Sequence, residues 1–429
     1  MARILVCADG FFRGFSPCSL EPYIDSFINV LARHGNQVKP YICKDFEHRK
    51  LWKRKLYSWQ AKQEIKKFDP EIVFSFNNAF DPTFFEIFNC PIYVIASDSP
   101  VYWRNKDLLK KESTRYSVFY FNADMAITLK NEYHIPFNRQ LLIPYSTDMH
   151  CDKTKEFDKD ITFIGNFYNP NQFLFDFLFG DLAVHSNQNK EKLRDLIIQF
   201  IEELKSAHKK NDKTLAIYKE IIALLGRDKG YDRIISESFG ILTSEKRIQL
   251  LSALDDMDLH IFTWDQNLRC ISNFYSLFKK CHLDMVCSVQ DNQEIYNKSK
   301  ISLNLPHGQV NTGFSWRVCD IMASNSMLLS NPTDDLVRLF GGVIPTFDNA
   351  YELKDKCQYF LKNDKERLDI VKACQKLIDQ NHRYENVFQT VEEYSGIKLL
   401  NLGATQAVQQ FARTTEKQQG YLRRRLLNV

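Results

Sequence analysis

Short apolar runs alternate with longer amphipathic segments along the first third of the chain. Six runs have the length and hydrophobicity of strands buried on both faces, and they lie at residues 3–8, 38–43, 71–76, 92–97, 117–121 and 141–144. Apolar residues at helical spacing predict helices at 20–33 and 46–68 between these strands. The alternation of strand and helix predicts a mostly parallel, doubly wound sheet.

A second series of elements begins after the polar residues 146–148. Its strands are predicted at residues 160–165, 259–264, 284–289, 300–305, 327–330 and 342–347. Helical spacing predicts helices at 244–254 and 351–362, and two more over 364–391 with a break near Asn381 and His382. A stretch rich in Lys, Glu and Ile, at about 172–238, predicts an α-helical insertion.

The pattern as a whole predicts an α/β protein with two Rossmann-like, doubly wound domains that face a cleft. The N-terminal domain takes residues 1–150, the C-terminal domain takes residues 151–391, and residues 392–429 form a basic helical tail. Ligands of open α/β sheets bind beyond the carboxyl ends of the strands. Functional residues are therefore expected in the loops that follow the strands.

Composition narrows the class of protein. The 429 residues are 44% apolar and 26% charged, as in soluble globular proteins, and a net charge of +4 gives no reason to expect a nucleic-acid partner. No apolar run has the length of a transmembrane helix, and the N-terminal residues have the pattern of a buried strand rather than of a signal peptide. Eleven cysteines without a C-x-x-C pair favour reduced thiols over disulfides or zinc. We therefore expect a cytoplasmic protein without a metal site.

The strongest candidate site lies between residues 300 and 332, where a strand, a glycine-containing loop and a helix follow one another. Backbone N–H groups at a helix start and the guanidinium of Arg317 both favour an anion. Asp320, one turn into the helix, can accept hydrogen bonds from a ribose hydroxyl pair. The segment predicts a nucleotide-diphosphate pocket. The residues expected to contact the ligand are Asn304, His307, Thr312, Gly313, Phe314, Ser315, Trp316, Arg317 and Asp320.

Three further residues of the second half are candidates for the same ligand. Gly165 and Asn166 follow the first strand of the C-terminal domain, where a glycine lets a phosphate or sugar approach the backbone. Trp264 ends the next strand and could flank a base or a sugar face. A tight turn explains Gly165 and Asn166 equally well, and a tryptophan packed in the core is the more frequent case for Trp264.

The first half offers residues for the acceptor side of a cleft. Gly10 and Gly14, after the first strand, permit close backbone approach of a ligand, or form an ordinary turn. Asp98, followed by Ser99, ends the fourth strand, where a general base would project into the cleft. An Asx turn or a helix cap before Pro100 is the alternative. Asp9 is a rival base by the same positional argument.

Residues 46–59 combine lysines, arginines and aromatic side chains. On a helix this composition suits contact with an anionic membrane surface, which would present the cleft to a lipid-linked acceptor. A helix with one buried aromatic stripe and solvated lysines is the alternative.

Several of these residues resemble the CgeB-like glycosyltransferases, a group with the GT-B fold. The resemblance is carried by Asn304-Leu305, the Arg317-Val-Cys-Asp320 helix start, Ala323, residues 341–353 and His382. It extends over about 160–391 apart from the helical insertion, and Asp98-Ser99-Pro100 resembles the group's N-terminal domain more weakly. It implies a nucleotide-sugar donor bound mainly by the C-terminal domain. It further implies a glycan, lipid-linked or protein acceptor bound by the N-terminal domain, and no obligatory metal or cofactor.

One position departs from the wider retaining GT-B pattern. Thr312 stands where that pattern has a glutamate that contacts the donor sugar, and Asp320 takes the place of a second glutamate. If the reaction inverts the sugar, Asp98 or Asp9 would be the base; if it retains the configuration, no base is needed there. A non-catalytic sugar-binding relative and a nucleotide-sugar epimerase of the same fold remain as alternative functions.

Overall fold

A computed structural model gives the structure of the chain. It describes residues 1–9, 20–43, 51–122, 124–168, 187–206, 212–225, 231–263, 268–283, 286, 288–310 and 312–401. The predicted residues Gly10, Gly14 and Trp264 lie outside this description, as do most of the tail and part of the helical insertion.

The first half of the chain builds a six-stranded sheet in the order β2-β1-β3-β4-β5-β6, with every neighbouring pair parallel. All six predicted strands are confirmed, with boundaries shifted by one or two residues. Their bounds are β1 Arg3–Asp9, β2 Gln37–Cys43, β3 Ile72–Phe76, β4 Ile92–Ala96, β5 Tyr116–Tyr120 and β6 Gln140–Leu142. Strands β3, β4 and β5 are buried at every position, which is why apolar residues dominate them and only Ser75 and Ser117 interrupt the runs.

Helices connect these strands and cover the sheet. The bounds are α1 Pro22–Arg33, α2 Leu51–Phe68, α3 Lys106–Lys111 and α4 Met125–Tyr133. Helix α1 buries Phe27, Ile28 and Leu31 and begins with proline at its first position, where the missing N–H costs no helical hydrogen bond.

The second half builds a five-stranded parallel sheet in the order β11-β10-β7-β8-β9. Its strands are β7 Lys159–Ile164, β8 Leu259–Phe262, β9 Cys281–His282, β10 Ser299–Asn304 and β11 Met327–Ser330. The first sheet ends at Leu142 and the second begins at Lys159, so the predicted domain boundary falls in the connection between them.

The helices of the second half fall into an insertion and a closing group. The insertion between β7 and β8 includes α5 Asn187–Ser206, α6 Asp212–Leu225 and α7 Tyr231–Ser252. The remaining helices are α8 Leu268–Ile271, α9 Tyr275–Phe278, α10 Val289–Asn297, α11 Arg317–Met322, α12 Asp334–Phe340, α13 Ala350–Lys362, α14 Asp364–Asn381 and α15 Tyr384–Ser395. The predicted break near His382 separates α14 from α15.

Two predicted strands of the second half are wrong. The predicted strand at 284–289 overlaps the start of α10, because Ser288 caps that helix and forms a capping box with Asp291. The edge strand is instead the two-residue β9. Residues 342–347 form no strand and make one bridge, between Thr346 and Ser330. Short apolar runs do not by themselves separate strands from helix starts.

Helix α15 packs against the first domain and so connects the two halves of the chain. His34 contacts Glu385 at 3.1 Å, and the Tyr384 hydroxyl donates to the Tyr23 carbonyl at 2.8 Å. Further along, the Asn36 amide donates to the Leu399 carbonyl at 2.7 Å. One hydrophobic cluster holds residues of both sheets and of α15. The two halves therefore share a packed hydrophobic core.

Among the described helices, none is both long and apolar enough to cross a membrane. The eight cysteines whose side chains the structure describes are free thiols, and five of them are buried.

Candidate active site

The carboxyl ends of the two sheets meet at one place. Asp98 follows β4 and Gln309 follows β10, and the Gln309 amide donates to Asp98 Oδ1 at 2.9 Å. Gln309 Oε1 accepts from the Ser99 backbone N–H at 3.1 Å. Asp98, predicted to project into the cleft, therefore contacts the opposite domain across it.

Asp98 is held on its other side as well. Its second oxygen accepts from the Asn77 side-chain amide at 2.7 Å, and Asn77 Oδ1 accepts from the backbone N–H groups of Ser97 and Asp98 at 3.1 Å each. Both carboxylate oxygens thus have amide donors, which fixes the carboxyl group at the cleft surface. The side chain is partly exposed.

The rival base, Asp9, has a cationic partner. Arg104 Nε lies 2.6 Å from Asp9 Oδ1. Asp9 is therefore engaged by a cation, whereas Asp98 is bonded to neutral amides. The assignment of either carboxylate as the base stays a prediction.

Arg247 is a site residue that the sequence did not reveal. It lies on α7, is 4% exposed, and donates to the Leu305 carbonyl at 2.7 Å and to the Asn166 carbonyl at 2.5 Å. These carbonyls follow β10 and β7, at the carboxyl edge of the second sheet. In the part of the chain that the structure describes, no carboxylate forms an ion pair with this guanidinium. Burial, together with the charge of Arg317, lowers the pKa of Arg247 to about 9.

An arginine in a helix sequence is usually solvated, so nothing in the local pattern marked Arg247. Its burial depends on two loops that are distant in sequence. A buried guanidinium without a carboxylate carries a desolvation cost that a bound anion would offset.

Arg317 is the first residue of α11 and is partly exposed. Its side chain hydrogen-bonds the hydroxyl of Tyr296, a residue whose pKa is raised by burial. The helix that Arg317 begins has only six residues, so few aligned peptide dipoles add to its N-terminal charge. Charge at this end of the cleft therefore comes chiefly from the two guanidiniums, Arg247 and Arg317, which are close enough to affect each other electrostatically.

Asp320 lies one turn into α11 and faces the connection between the domains. The Thr147 hydroxyl donates to Asp320 Oδ1 at 2.6 Å, and the Thr147 backbone N–H donates to the His382 carbonyl at 3.0 Å. Burial raises the pKa of Asp320 to about 7, against the opposing effects of Thr147 and Arg317. The residue as a whole is half-buried, and its expected bond to a ribose stays a prediction.

Asp320→Asn is expected to change how stability depends on pH. The folded-state pKa of about 7 lies above the ordinary value of 3.8, so unfolding releases a proton between those limits and the free energy of unfolding falls as pH rises through them. The asparagine cannot ionise and still accepts from Thr147. We expect it to raise the free energy of unfolding at pH 8 by on the order of 3 kcal/mol and to remove this part of the slope.

Urea unfolding of both proteins across pH 4 to 8 measures the effect of Asp320→Asn. Parallel curves for the two proteins would contradict the raised pKa.

The predicted loop at Gly313–Trp316 packs against the first domain. Phe314 is 3% exposed, its ring stacks on Tyr145 at 4.0 Å, and its N–H donates to the Tyr145 hydroxyl at 3.3 Å. Trp316 stacks on Tyr23 at 4.8 Å. A Cβ on Gly313 would lie 2.5 Å from the Tyr145 hydroxyl, so only glycine fits there. The expectation of free N–H groups is therefore wrong at Phe314.

Hydrogen bonds between polar side chains also hold the loop at residues 313–316. Asn304 is fully buried, donates to the Ser330 hydroxyl at 2.8 Å and accepts from the Ser315 hydroxyl at 2.9 Å. Thr312 is 6% exposed, and its hydroxyl has no hydrogen-bond partner among the described residues. Asn304 and Ser315 thus hold the loop in place, and direct contact of these three residues with a donor stays a prediction.

Gly165 and Asn166 lie beside Arg247, as expected of residues at the edge of β7. A Cβ at Gly165 would lie 2.5 Å from the Phe163 ring, and the Asn166 carbonyl is one of the acceptors for Arg247. Asn166 therefore contacts the buried guanidinium directly. The contact of Gly165 and Asn166 with a donor stays a prediction.

His307 is half-buried among aromatic rings. Its ring contacts Tyr102 of the first domain and Tyr168 and Phe239 of the second edge-on, at 6.4, 5.3 and 6.5 Å. Burial and the charge of Arg247 lower the pKa of His307 to about 3, so the ring is neutral. Its Nδ1 accepts from the Gln309 N–H at 3.2 Å, which leaves the proton on Nε2.

Among the described residues, no three His, Cys, Asp or Glu side chains are grouped so that they could hold a metal ion.

The C-terminal part of the chain matches a known family. Residues 247–393 match the family model described as glycosyl transferase-like, and the match begins at the buried arginine of α7. No curated protein sequence matches the chain.

Three solved structures share the two-sheet architecture along almost the whole chain. Sucrose-phosphate synthase from Thermosynechococcus elongatus is 9% identical with a TM-score of 0.53, and the match covers 91% of this chain and 98% of that one. Anabaena HepE in complex with UDP and glucose is 8% identical with a TM-score of 0.52, covering 93% and 100%. The T4 phage BGT in complex with UDP and Mn²⁺ is 10% identical with a TM-score of 0.50, covering 91% and 99%.

These likenesses confirm the predicted GT-B fold, with its two parallel sheets and flanking helices. The family match confirms the prediction of a glycosyltransferase. Membership in the CgeB-like subfamily stays a prediction.

Proposed function

We propose that the protein transfers a sugar from a nucleoside-diphosphate donor to a hydroxyl group of an acceptor. The observation that supports this most strongly is the pair of guanidiniums, Arg247 and Arg317, at the carboxyl edge of the second sheet. Arg247 is buried and has no carboxylate partner in the described part of the chain. The diphosphate of a donor would supply the negatively charged partner. HepE and the T4 phage enzyme were both solved with UDP, which supports the same class of donor.

The chemistry follows from where the charges lie. As the bond from the sugar to the diphosphate breaks, negative charge grows on the departing phosphate oxygen. Fixed guanidiniums stabilise that charge without reorganising during the reaction. They also supply the positive charge at the leaving group, so we propose that no resident metal is needed.

The acceptor side is proposed to be the loop after β4. Asp98 lies at the cleft surface, and its carboxylate would accept the proton of the attacking hydroxyl while Asn77 keeps it oriented. Gln309 bonds both Asp98 and Ser99 and would move aside or share these groups when an acceptor binds. This assignment corresponds to an inverting reaction, with Asp9 held by Arg104 and out of the proton transfer.

The pathway belongs to the same proposal. We propose a CgeB-like enzyme of the cytoplasm that modifies a glycan, lipid-linked or protein acceptor. The resemblance at Asn304, Arg317, Asp320 and His382 supports this assignment.

A panel of donors tests the proposed function. The protein is incubated with UDP-, GDP- and dTDP-sugars, with a CMP-sugar as the monophosphate comparison, and the released nucleotide and sugar are measured with and without EDTA. We expect one class of diphosphate donor to be consumed, and EDTA to have no effect. A non-catalytic protein would consume none of them, and an epimerase would release sugar and nucleotide at rates that no acceptor changes.

Arg247→Met is expected to weaken binding of the donor's nucleoside diphosphate about thirtyfold, because it removes a charge-assisted hydrogen bond worth about 2 kcal/mol. Arg247→Lys keeps the charge but not the planar fork, so its loss should be smaller. Titration calorimetry with UDP and GDP measures both variants.

Arg367→Met is the matched control for Arg247→Met. Arg367 is also a buried arginine of the second domain, 2% exposed, but it bonds Asp364 at 2.6 Å and lies away from the cleft. Equal losses of affinity in the two variants would remove Arg247 from the site.

A further inference from the structure

The side chain of Gln309 reaches from the second domain to the proposed base on the first. Its amide nitrogen donates to Asp98 Oδ1 at 2.9 Å, and its Oε1 accepts from the Ser99 backbone N–H at 3.1 Å. The other oxygen of Asp98 is bonded to Asn77 at 2.7 Å, so Gln309 covers the one that Asn77 leaves. A hydroxyl that loses its proton to Asp98 has to lie within hydrogen-bond distance of that carboxylate. Gln309 therefore occupies a position that an acceptor, or a water molecule, needs.

The backbone around Gln309 is fixed by bonds that do not involve Asp98. The Gly308 N–H donates to the Thr243 hydroxyl of α7 at 2.8 Å, and the Gln309 N–H donates to His307 Nδ1 at 3.2 Å. Gln309 itself is half-buried. Its side chain can therefore leave Asp98 by rotating about its own bonds, without movement of the loop.

The two loops that Gln309 connects also meet through an aromatic side chain. Tyr102 belongs to the loop after β4, and its ring contacts His307 edge-on at 6.4 Å. The Tyr102 hydroxyl donates to the Ser236 carbonyl of α7 at 3.5 Å. Contact between the domains at this place therefore does not depend on the Gln309 amide alone.

Tyr168 links the environment of Asp98 to that of the donor site. Burial raises the pKa of Tyr168, the charge of Arg247 lowers it, and the charge of Asp98 raises it further. The ring also contacts His307 edge-on at 5.3 Å. Because both charges act on one side chain, a water molecule activated at Asp98 would lie within reach of a donor held by Arg247.

We propose that Gln309 determines whether the donor sugar goes to the acceptor or to water. While no acceptor is bound, its amide holds Asp98 and the Ser99 N–H, so water is not deprotonated there. An acceptor displaces the amide because its other contacts with the cleft add to those that its hydroxyl makes, and water has no such contacts. This inference rests on the proposed function, with Asp98 as the base.

The reaction that Gln309 would suppress is hydrolysis of the donor. A water molecule gives one proton to Asp98 while its oxygen forms a bond to the anomeric carbon of the sugar. The bond from that carbon to the phosphate oxygen breaks, and its electron pair leaves with the nucleoside diphosphate. Nothing is oxidised or reduced. Transfer follows the same course with the acceptor hydroxyl in the place of water.

Gln309→Ala tests the proposal in the full chain, with no acceptor present. We expect kcat for hydrolysis of the donor that the panel selects to rise about tenfold, the factor that corresponds to one net hydrogen bond. The KM for the donor should stay nearly the same. Loss of a merely structural contact would instead lower kcat or leave it unchanged. The rate of nucleoside diphosphate release measures the effect.

Two further variants relate the effect to the bond between Gln309 and Asp98. Gln309→Glu keeps the shape of the side chain but brings a second negative charge to Asp98, so hydrolysis should rise here as well. This variant serves if Gln309→Ala melts early. D98N/Q309A should hydrolyse the donor as slowly as Asp98→Asn, because the rise depends on the base.

Gln293→Ala is the matched control for Gln309→Ala. Gln293 lies on α10, and its side chain also accepts from a backbone N–H, that of His150 at 3.0 Å. His150 belongs to the connection between the two sheets. This variant should hydrolyse the donor as the wild type does.

The outcomes separate this inference from the proposed function. Hydrolysis that is unchanged or slower in both Gln309 variants, with the donor still bound in calorimetry, would overturn the inference alone. A rise that persists in D98N/Q309A would also overturn it. If neither the wild type nor any variant consumed a donor, the proposed function would fail, and this inference with it.

Discussion

Replacing Asp98 with asparagine is expected to lower kcat about a thousandfold, within the range that general-base catalysis contributes. The asparagine has nearly the same shape but cannot accept the proton of the attacking hydroxyl. The melting temperature should fall only slightly, because a partly exposed group loses at most one amide hydrogen bond, worth about 1 kcal/mol. The rate of nucleoside diphosphate release, with the donor that the panel selects, measures the effect.

Asp9→Asn is the control for Asp98→Asn. Asp9 also follows a strand of the first sheet, but it is paired with Arg104 at 2.6 Å. We expect its replacement to lower kcat less than about tenfold, since it takes no part in proton transfer. A rate for Asp98→Asn within a few fold of wild type would exclude the base and favour a retaining reaction.

Arg317→Ala is expected to lower kcat/KM about a hundredfold, which corresponds to roughly 3 kcal/mol of lost transition-state stabilisation. The guanidinium stabilises charge that grows on the leaving diphosphate, so kcat should fall as well as affinity. Stability should change little, because the side chain is partly exposed and has no ion pair within 4 Å among the described residues. Steady-state kinetics with varied donor concentration separates kcat from KM.

Arg338→Ala is the control for Arg317→Ala. Arg338 is a surface arginine of the same domain, 57% exposed, that pairs with Asp335 at 2.7 Å. Its replacement should leave transfer unchanged. Wild-type turnover and donor affinity in Arg317→Ala would remove that residue from the mechanism.

Hydrophobic patterning was sufficient to predict most of the fold. Strands such as β4 are buried on both faces, so an unbroken apolar run marks them, and glycine or polar residues mark their ends. The pattern failed at 284–289 and 342–347, where short apolar runs belong to a helix start and to a loop. The capping box of Ser288 fixes the first segment, and the bridge between Thr346 and Ser330 fixes the second. Hydrophobic periodicity predicts neither interaction.

The candidate site could be predicted only in part. Asp98 and Arg317 were accessible to sequence reasoning because each stands directly after a loop or strand end. Arg247 was not, because its burial is created by the Leu305 and Asn166 carbonyls, which lie 58 and 81 residues away in the chain. The role of Gln309 likewise depends on a contact between domains, 211 residues apart.

Packing between the domains explains why the loop at residues 313–316 differs from the predicted anion-binding loop. Phe314 and Trp316 follow a pattern suited to an anion-binding helix start, yet their rings stack on Tyr145 and Tyr23. Such rings join the two domains where the chain crosses between them. A relative motion of the domains would therefore disturb this aromatic contact and the bond between Thr147 and Asp320 together.

A crystal structure with bound UDP, or with the nucleoside diphosphate that the panel selects, tests the central claim most directly. We expect diphosphate oxygens about 3 Å from the guanidinium nitrogens of both Arg247 and Arg317. A diphosphate bound elsewhere, with both guanidiniums making only the contacts of the free protein, would contradict it.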